Sequence, residues 1–303
     1  KAGVNTLGAY DSLDQSVSVS PLIDVMVTPG PPNIYRVTPN SDGEVPAGAL
    51  LTPGRQILTA QLSDAYDNDI SSAGVPAYIQ ISEVYGSTGT LQYQSASTWY
   101  DMGTSTLTYT DAGGDVGVSV VMAYKVSSKA GDWARIWIGT TPINASVYDT
   151  YLAAKQDLSG KLITTGGTPS KLIYISSQPS AIAGILEVAG TGAYFTVERR
   201  DDFNNITKQG QTDVYLNLPS AQTAVHTALG RTIGTYGTFG DYGFRNTAND
   251  QFISAVSIVS GQTNASFRYH DRTASYSGVS PSSNTYEGGR PGYWQLEARS
   301  GSM

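Results

Sequence analysis

The chain has 303 residues, a formal net charge of −7, no Cys, and charged residues at only 14%, well below the roughly 25% of ordinary soluble domains. Without Cys there are no disulfides, thiolate metal sites or Cys nucleophiles. Scattered Lys and Arg on an acidic chain give no footprint for nucleic acid or an anionic membrane. No apolar run approaches the roughly 20 residues that cross a bilayer.

The acidic side is 19 Asp against 6 Glu, a bias toward turns and caps and away from helices. Twenty Tyr against six Phe suit sheets whose large side chains keep a polar tip. The length allows two or three domains. The chain starts at Lys1 with no visible signal peptide and is expected to be a processed or excised segment.

In chain order, Ala2 to Ala9 reads as a closing strand of a repeat, and residues 1–29 as the tail of a preceding unit or an N-terminal extension. Period-2 alternation bounded by Gly, Pro, Asn and Ser then predicts strands over 56–62, 76–81, 116–124 and 134–138. Further strands are predicted over 172–175, 193–198, 214–218, 252–259, 265–269 and 293–298. Only Val147–Gln156 has a helical pattern.

Two halves of the sequence repeat each other. Pro32-Asn33-Ile34-Tyr35 resembles Pro169-Ser170-Lys171-Leu172-Ile173-Tyr174, and Asp64-Ala65-Tyr66-Asp67-Asn68 resembles Asp201-Asp202-Phe203-Asn204-Asn205; both offsets are 137 residues, as is that from Thr28 to Thr165. The Trp133 and Trp294 segments differ by 161, so the second repeat holds about 24 extra residues. They are placed near 221–247, where Gly234, Gly237, Gly240 and Gly243 alternate with Tyr236, Phe239 and Tyr242. Trp133 and Trp294 are expected to be core or inter-domain anchors.

The Asp-x-Tyr/Phe-x-Asn motif after a strand, the Ile253–Gly261 segment leading into Ala265–Tyr269, and the Ala130-Gly131 and Pro291-Gly292 closing strands resemble tandem bacterial Ig-like (Big, invasin-type) repeat domains of surface-layer, fibre and adhesin proteins. The family's turn glycine is here Asp67 and Asn204, residue types that accept φ > 0. The resemblance implies an extracellular, cell-surface structural role without catalysis.

Several groups invite chemistry. Asp64, Asp67, Asn68 and Asp69, and likewise Asp201, Asp202, Asn204 and Asn205, sit in single turns, and Asp111 and Asp115 form a looser pair. Such turns suit calcium, which takes six to eight oxygens; the alternative is a turn that caps its own backbone. Tyr236, Phe239 and Tyr242 form either a tucked hairpin or a sticky loop for a subunit or a sugar. Asn144, Asn205 and Asn264 head glycosylation sequons. His226 and His270 read as surface residues, and no hydrolase, phosphate-loop or zinc motif is present.

The expected architecture is all-β: tandem immunoglobulin-like sandwiches over 30–165 and 166–303. The expected function is a repeat segment of a surface layer or surface filament (a homo-polymer or lattice). An adhesin or carbohydrate-binding module for cell-surface glycans, or an accessory region of a secreted enzyme, are the alternatives. Calcium is the one cofactor considered, and a detached strand at residues 2–12 is expected to add to a neighbouring subunit.

Overall fold

The computed structural model describes residues 2–7, 23–48, 53–143, 158–177, 193–228, 230–238, 240–271 and 297–300. The chain divides into two compact units, Lys1–Ala47 with Pro53–Thr165, and Gly48–Thr52 with Gly166–Met303.

Unit 1 opens with a two-stranded hairpin, β1 (Gly3–Leu7) and β2 (Ile23–Val27). Residues 3–7 are therefore a strand, but not a detached one. One sheet of the sandwich then runs through β3 (Ile34–Thr38), β5 (Arg55–Ser63), β11 (Met122–Lys125), β7 (Thr90–Ser95) and β8 (Thr98–Gly103), with β10 (Asp115–Val116) also on β5. The other runs β4 (Gly43–Pro46), β13 (Leu162–Thr165), β12 (Trp133–Gly139), β6 (Pro76–Tyr85) and β9 (Ser105–Tyr109). The β3-β5-β11-β7 order facing β13-β12-β6 is the ABED/GFC division of immunoglobulin-type sandwiches. β13 is parallel to β4.

The alternation read in the sequence explains the packing. Leu58, Ala60 and Leu62 of β5 point to one side and meet Ala77 and Ile79 of β6 and Ile136 and Ile138 of β12 from the facing sheet. Two buried tyrosines keep their polar tips partnered: the Tyr35 hydroxyl donates to Pro76 O (3.1 Å), and Gly89 N donates to the Tyr124 hydroxyl (3.0 Å).

Unit 2 repeats the plan with β14 (Lys171–Ser177), β15 (Ala193–Arg200), β20 (Asn264–Asp271), β17 (Tyr242–Asn246) and β18 (Phe252–Ile253) in one sheet. β19 (Ala255–Ile258), β16 (Thr212–Asn217) and β21 (Glu297–Ser300) form the other. Its core joins Val197, Phe244, Phe267 and Tyr269 to Val214, Leu216 and Ile258, with Phe195 stacked on Phe267 at 5.6 Å.

Four expectations need correction. The 116–124 strand is interrupted: Gly117 takes φ +80 with Leu58 O where a Cβ would stand, and the chain rejoins the sheet only at Met122. The 252–259 strand is two strands, because the chain changes sheet at Ser254, whose carbonyl accepts from Leu216 N. β8 and β9 make the same switch at Thr104. Trp133 is only half-buried, with Lys161 Nζ 4.6 Å over its ring, and among the described residues the enclosed tryptophan is Trp137. Finally, a helix absent from the reading, α1 (Ser220–Ala228), lies inside the 221–247 insertion. It begins after Pro219, whose carbonyl accepts from Thr223 N, and ends where Gly230 adopts φ +65 and donates to Thr227 O. Val147–Gln156, Trp294 and Phe239 lie outside the described residues.

Candidate functional site

The two Asp turns are the same object built twice. Asp64 Oδ1 accepts from Tyr66 N (2.8 Å) and Asn68 N (2.9 Å), and its Oδ2 accepts from Gly30 N (2.8 Å) and Asn68 Nδ2 (2.9 Å). Asp201 Oδ1 accepts from Phe203 N (3.0 Å) and Asn205 N (2.8 Å), and its Oδ2 from Gly167 N (2.8 Å) and Asn205 Nδ2 (2.9 Å). Asp67 and Asn204 sit at φ 64 and 69, the left-handed position that glycine would otherwise fill. The Asn68 side-chain amide, first, and then the backbone donors hold the Asp64 carboxyl far below the ordinary range.

This geometry bears on calcium. Both buried carboxylates are enclosed by N–H donors, which occupy the lone pairs a cation would take. Asp67 and Asp69 instead face the Arg36 guanidinium, Asp67 at 3.3 Å. Among the described residues, no three His, Asp or Glu converge as a metal cluster. Asp111 is also engaged: Ser119 Oγ donates to it (2.7 Å), as do Asp115 N and Gly113 N, and the hydroxyl first holds its carboxyl below the usual range.

The glycine–aromatic segment splits. Tyr236 is 76% exposed, as a contact residue must be, while Tyr242 is 3% exposed and belongs to the core. Tyr242 opens β17, and its ring lies flat on His226 of α1 at 3.7 Å between centroids. It is therefore not a surface platform. The two histidines are also not surface residues: both are buried.

Around them lies a group of ionisable side chains that sequence reading did not assemble. His226 Nε2 is 3.3 Å from Asp271 Oδ2, and that oxygen accepts from the Tyr269 hydroxyl at 3.0 Å. His270 Nε2 is 3.6 Å from Asp250 Oδ1, and Asp250 Oδ2 accepts from Arg245 at 2.8 Å. Burial, and then the Arg231 guanidinium, push His226 down to about 4. The nearby Asp271 pulls the other way, but complete enclosure of the ring outweighs it. Burial, and then Asp271, raise both the Tyr242 and Tyr269 hydroxyls. At neutral pH the imidazole and both phenols are thus neutral. The sequence held one signal for this cluster: His226 lies in a stretch whose other large residues are few, six positions after Pro219-Ser220, a helix-start pair.

A second buried polar feature is Arg199. Its guanidinium donates to the carbonyls of Thr207 (3.1 Å), Gly210 (2.7 Å), Ile258 (3.3 Å), Val259 (3.3 Å) and Gln262 (2.8 Å). The position 137 residues earlier is Leu62.

Of the sequons, Asn205 spends its side-chain amide on Asp201, whereas Asn264 is exposed at the start of β20. Asn144 lies outside the described residues.

No protein-family model matches the sequence, and no curated protein matches it. Among solved structures, invasin, a bacterial integrin-binding protein, is similar at 12% identity and a TM-score of 0.25, over 80% of this chain and 34% of the invasin chain. The chain thus spans about a third of that protein's length, and at this score the likeness carries no weight for fold or function.

Proposed function

We propose that this is an extracellular cell-surface protein whose immunoglobulin-like units act through the surfaces they present, in a surface layer or filament built from copies of itself. No catalytic step belongs to this reading. The observation that carries it is the duplicated plan: the same Asp-locked turn, the same two-sheet order and the same sheet-switching strand recur in both units. Repeated stiff sandwiches are the material of spacers and lattices. Tyr109 of β9, Tyr85 of β6 and Tyr236 are large exposed side chains of the kind that make contacts.

Antibody against the purified chain should label intact cells of the source organism, and electron microscopy of their surface should locate it in ordered material. Labelling only after cell lysis refutes the proposal. A second reading, an adhesin for surface glycans, is favoured by Tyr236 alone; it predicts glycan binding that Tyr236→Ala removes.

A further inference from the structure

The pairing phase of β9 leaves a usable edge. Ile81 N donates to Thr104 O (2.9 Å), and Thr110 N donates to Val75 O (3.0 Å). The register sets Ile79 against Thr106 and Ala77 against Thr108. Even-numbered residues therefore bond to β6. Because antiparallel strands alternate, the N–H and C=O groups of Ser105, Leu107 and Tyr109 point away from it. Among the described residues no strand pairs with that side.

Natural sheets blunt such edges with charge, proline, bulges or brevity. Most other edges among the described residues do so. β3 carries Arg36, β4 carries Glu44 and Pro46, β8 carries Asp101, β14 carries Lys171 and a register shift, β21 carries Glu297 and Arg299, and β10 and β18 are two residues long. Only β9 (Ser-Thr-Leu-Thr-Tyr) and its shorter counterpart β19 lack charge, proline and glycine among described edge strands longer than two residues. In β19 the phase set by Leu216 N and Ser254 O turns only Ala255 and Ser257 outward. β9 turns out three residues, and the side chains of Leu107 and Tyr109 are exposed beside them.

The chain also carries a matching strand. The β1–β2 hairpin is joined by five register pairs and a Thr6–Asp24 hydrogen bond of 2.6 Å. A two-stranded sheet of this size is marginal in water. Its Val4–Met26 pair is 60% and 72% exposed on one face, and Val25 and Val27 are exposed on the other. β1 has no charged residue, whereas β2 carries Asp24. β1 is also five residues long, like β9.

We propose that β9 is an acceptor edge for a second copy of this chain, which adds its β1–β2 hairpin through β1. With Val4 opposite Leu107, the exposed Val4–Met26 pair continues the exposed Leu107 and Tyr109. Donor and acceptor are different surfaces, so the contact is heterologous, the kind that builds rings or open filaments. The inference rests on the surface-contact reading above and names its partner.

The chain has no Cys, so engineered thiols report the contact without background. Val4→Cys and Leu107→Cys chains, mixed and mildly oxidised, should form the mixed disulfide in preference to either homodimer. Leu107→Pro removes an outward N–H while sparing the bonds of Thr106 and Thr108 to β6. Sedimentation should show self-association weakened about tenfold or more, with circular dichroism and melting unchanged. Leu107→Lys should do the same by charging the edge, and it decides the matter where the proline variant misfolds. A wild-type chain that stays monomeric up to about 1 mM, the weak end of specific association, overturns the proposal. Predominance of the Leu107→Cys homodimer, or variants that associate like wild type, also overturns it. Ordered copies on intact cells that give no Val4–Leu107 cross-link sink the strand addition alone; cross-linking copies that never label on cells sink the surface reading alone.

Discussion

Replacing Arg199 with Leu gives unit 2 the residue that unit 1 carries at the same place. The side chain is fully buried, and among the described residues no carboxylate forms an ion pair with it. Burial lowers its pKa, yet a guanidinium stays charged, and its charge is dispersed over five carbonyls. These belong to the loop after β15 (Thr207, Gly210), the end of β19 (Ile258) and the turn before β20 (Val259, Gln262). Leucine refills much of the apolar stem but donates nothing. The bonds to Thr207 and Ile258 are fully buried, and the other carbonyl bonds lie nearer solvent. Ile258 O keeps Thr212 N as its donor in the β16–β19 ladder, so at about 1–3 kcal/mol for a buried acceptor left without a donor the Thr207 carbonyl sets a loss of about 1–3 kcal/mol, since water can serve the rest. Against the roughly 5–15 kcal/mol that holds an ordinary domain folded, such a loss is measurable. Hydrogen exchange followed by mass spectrometry measures each unit separately: segments 204–216 and 254–264 should lose protection, while 55–63 and 76–85 should not change. A loss under about 1 kcal/mol would mean that the carbonyls are adequately hydrated without Arg199, and the reasoning fails.

Asp201→Ala removes the acceptor of four hydrogen bonds and is expected to cost unit 2 about 2–4 kcal/mol in urea unfolding, with Asp201→Asn intermediate. Because His226 is depressed to about 4 from 6.5, the unfolded chain binds the extra proton between those values. Stability of unit 2 is therefore complete above pH 6.5 and falls as pH drops toward 4, by on the order of 2–3 kcal/mol; His226→Phe, which keeps the stack on Tyr242, should flatten that window. Asp64 is depressed as a carboxylate, so its share of the stability of unit 1 is present above pH 3.8 and is lost only below it, a separate acid limb that Asp64→Asn removes. Adding calcium or a chelator should leave melting of both units unchanged, because the Asp64 and Asp201 oxygens already have donors; a rise of several degrees on adding calcium would show that the turns open to bind it.

The fold was legible where one local rule sufficed. The alternation of β5, the paired turns, and the left-handed positions of Asp67 and Asn204 follow from residue type and spacing. Legibility failed where tertiary context overrode local signal. Gly117 reads as one glycine in an apolar run until Leu58 O is seen occupying the place of its side chain. α1, with Thr223 and Thr227 and no broad apolar stripe, is held by the His226–Tyr242 stack rather than by propensity. Tyr236 and Tyr242 share one motif and lie six residues apart, yet only the first is exposed, because the strand begins at the second. The His226–Asp271 and His270–Asp250 contacts join residues up to 45 positions apart, which no spacing rule anticipates.

The grip of Asp64 on Gly30, and of Asp201 on Gly167, has a mechanical meaning. Each carboxylate seizes the polypeptide just ahead of the first strand of its sandwich and anchors it to a turn at the end of the second. Tension arriving along the backbone at Gly167 meets that clamp before it reaches the β14 ladder. Peeling β14 one hydrogen bond at a time is then blocked at the first step, and the ladder must yield in shear, all its bonds together. A tether under repeated tugging gains most from such a catch, and in a single-molecule pulling experiment Asp201→Ala should lower the rupture force of unit 2 while leaving that of unit 1 where it was.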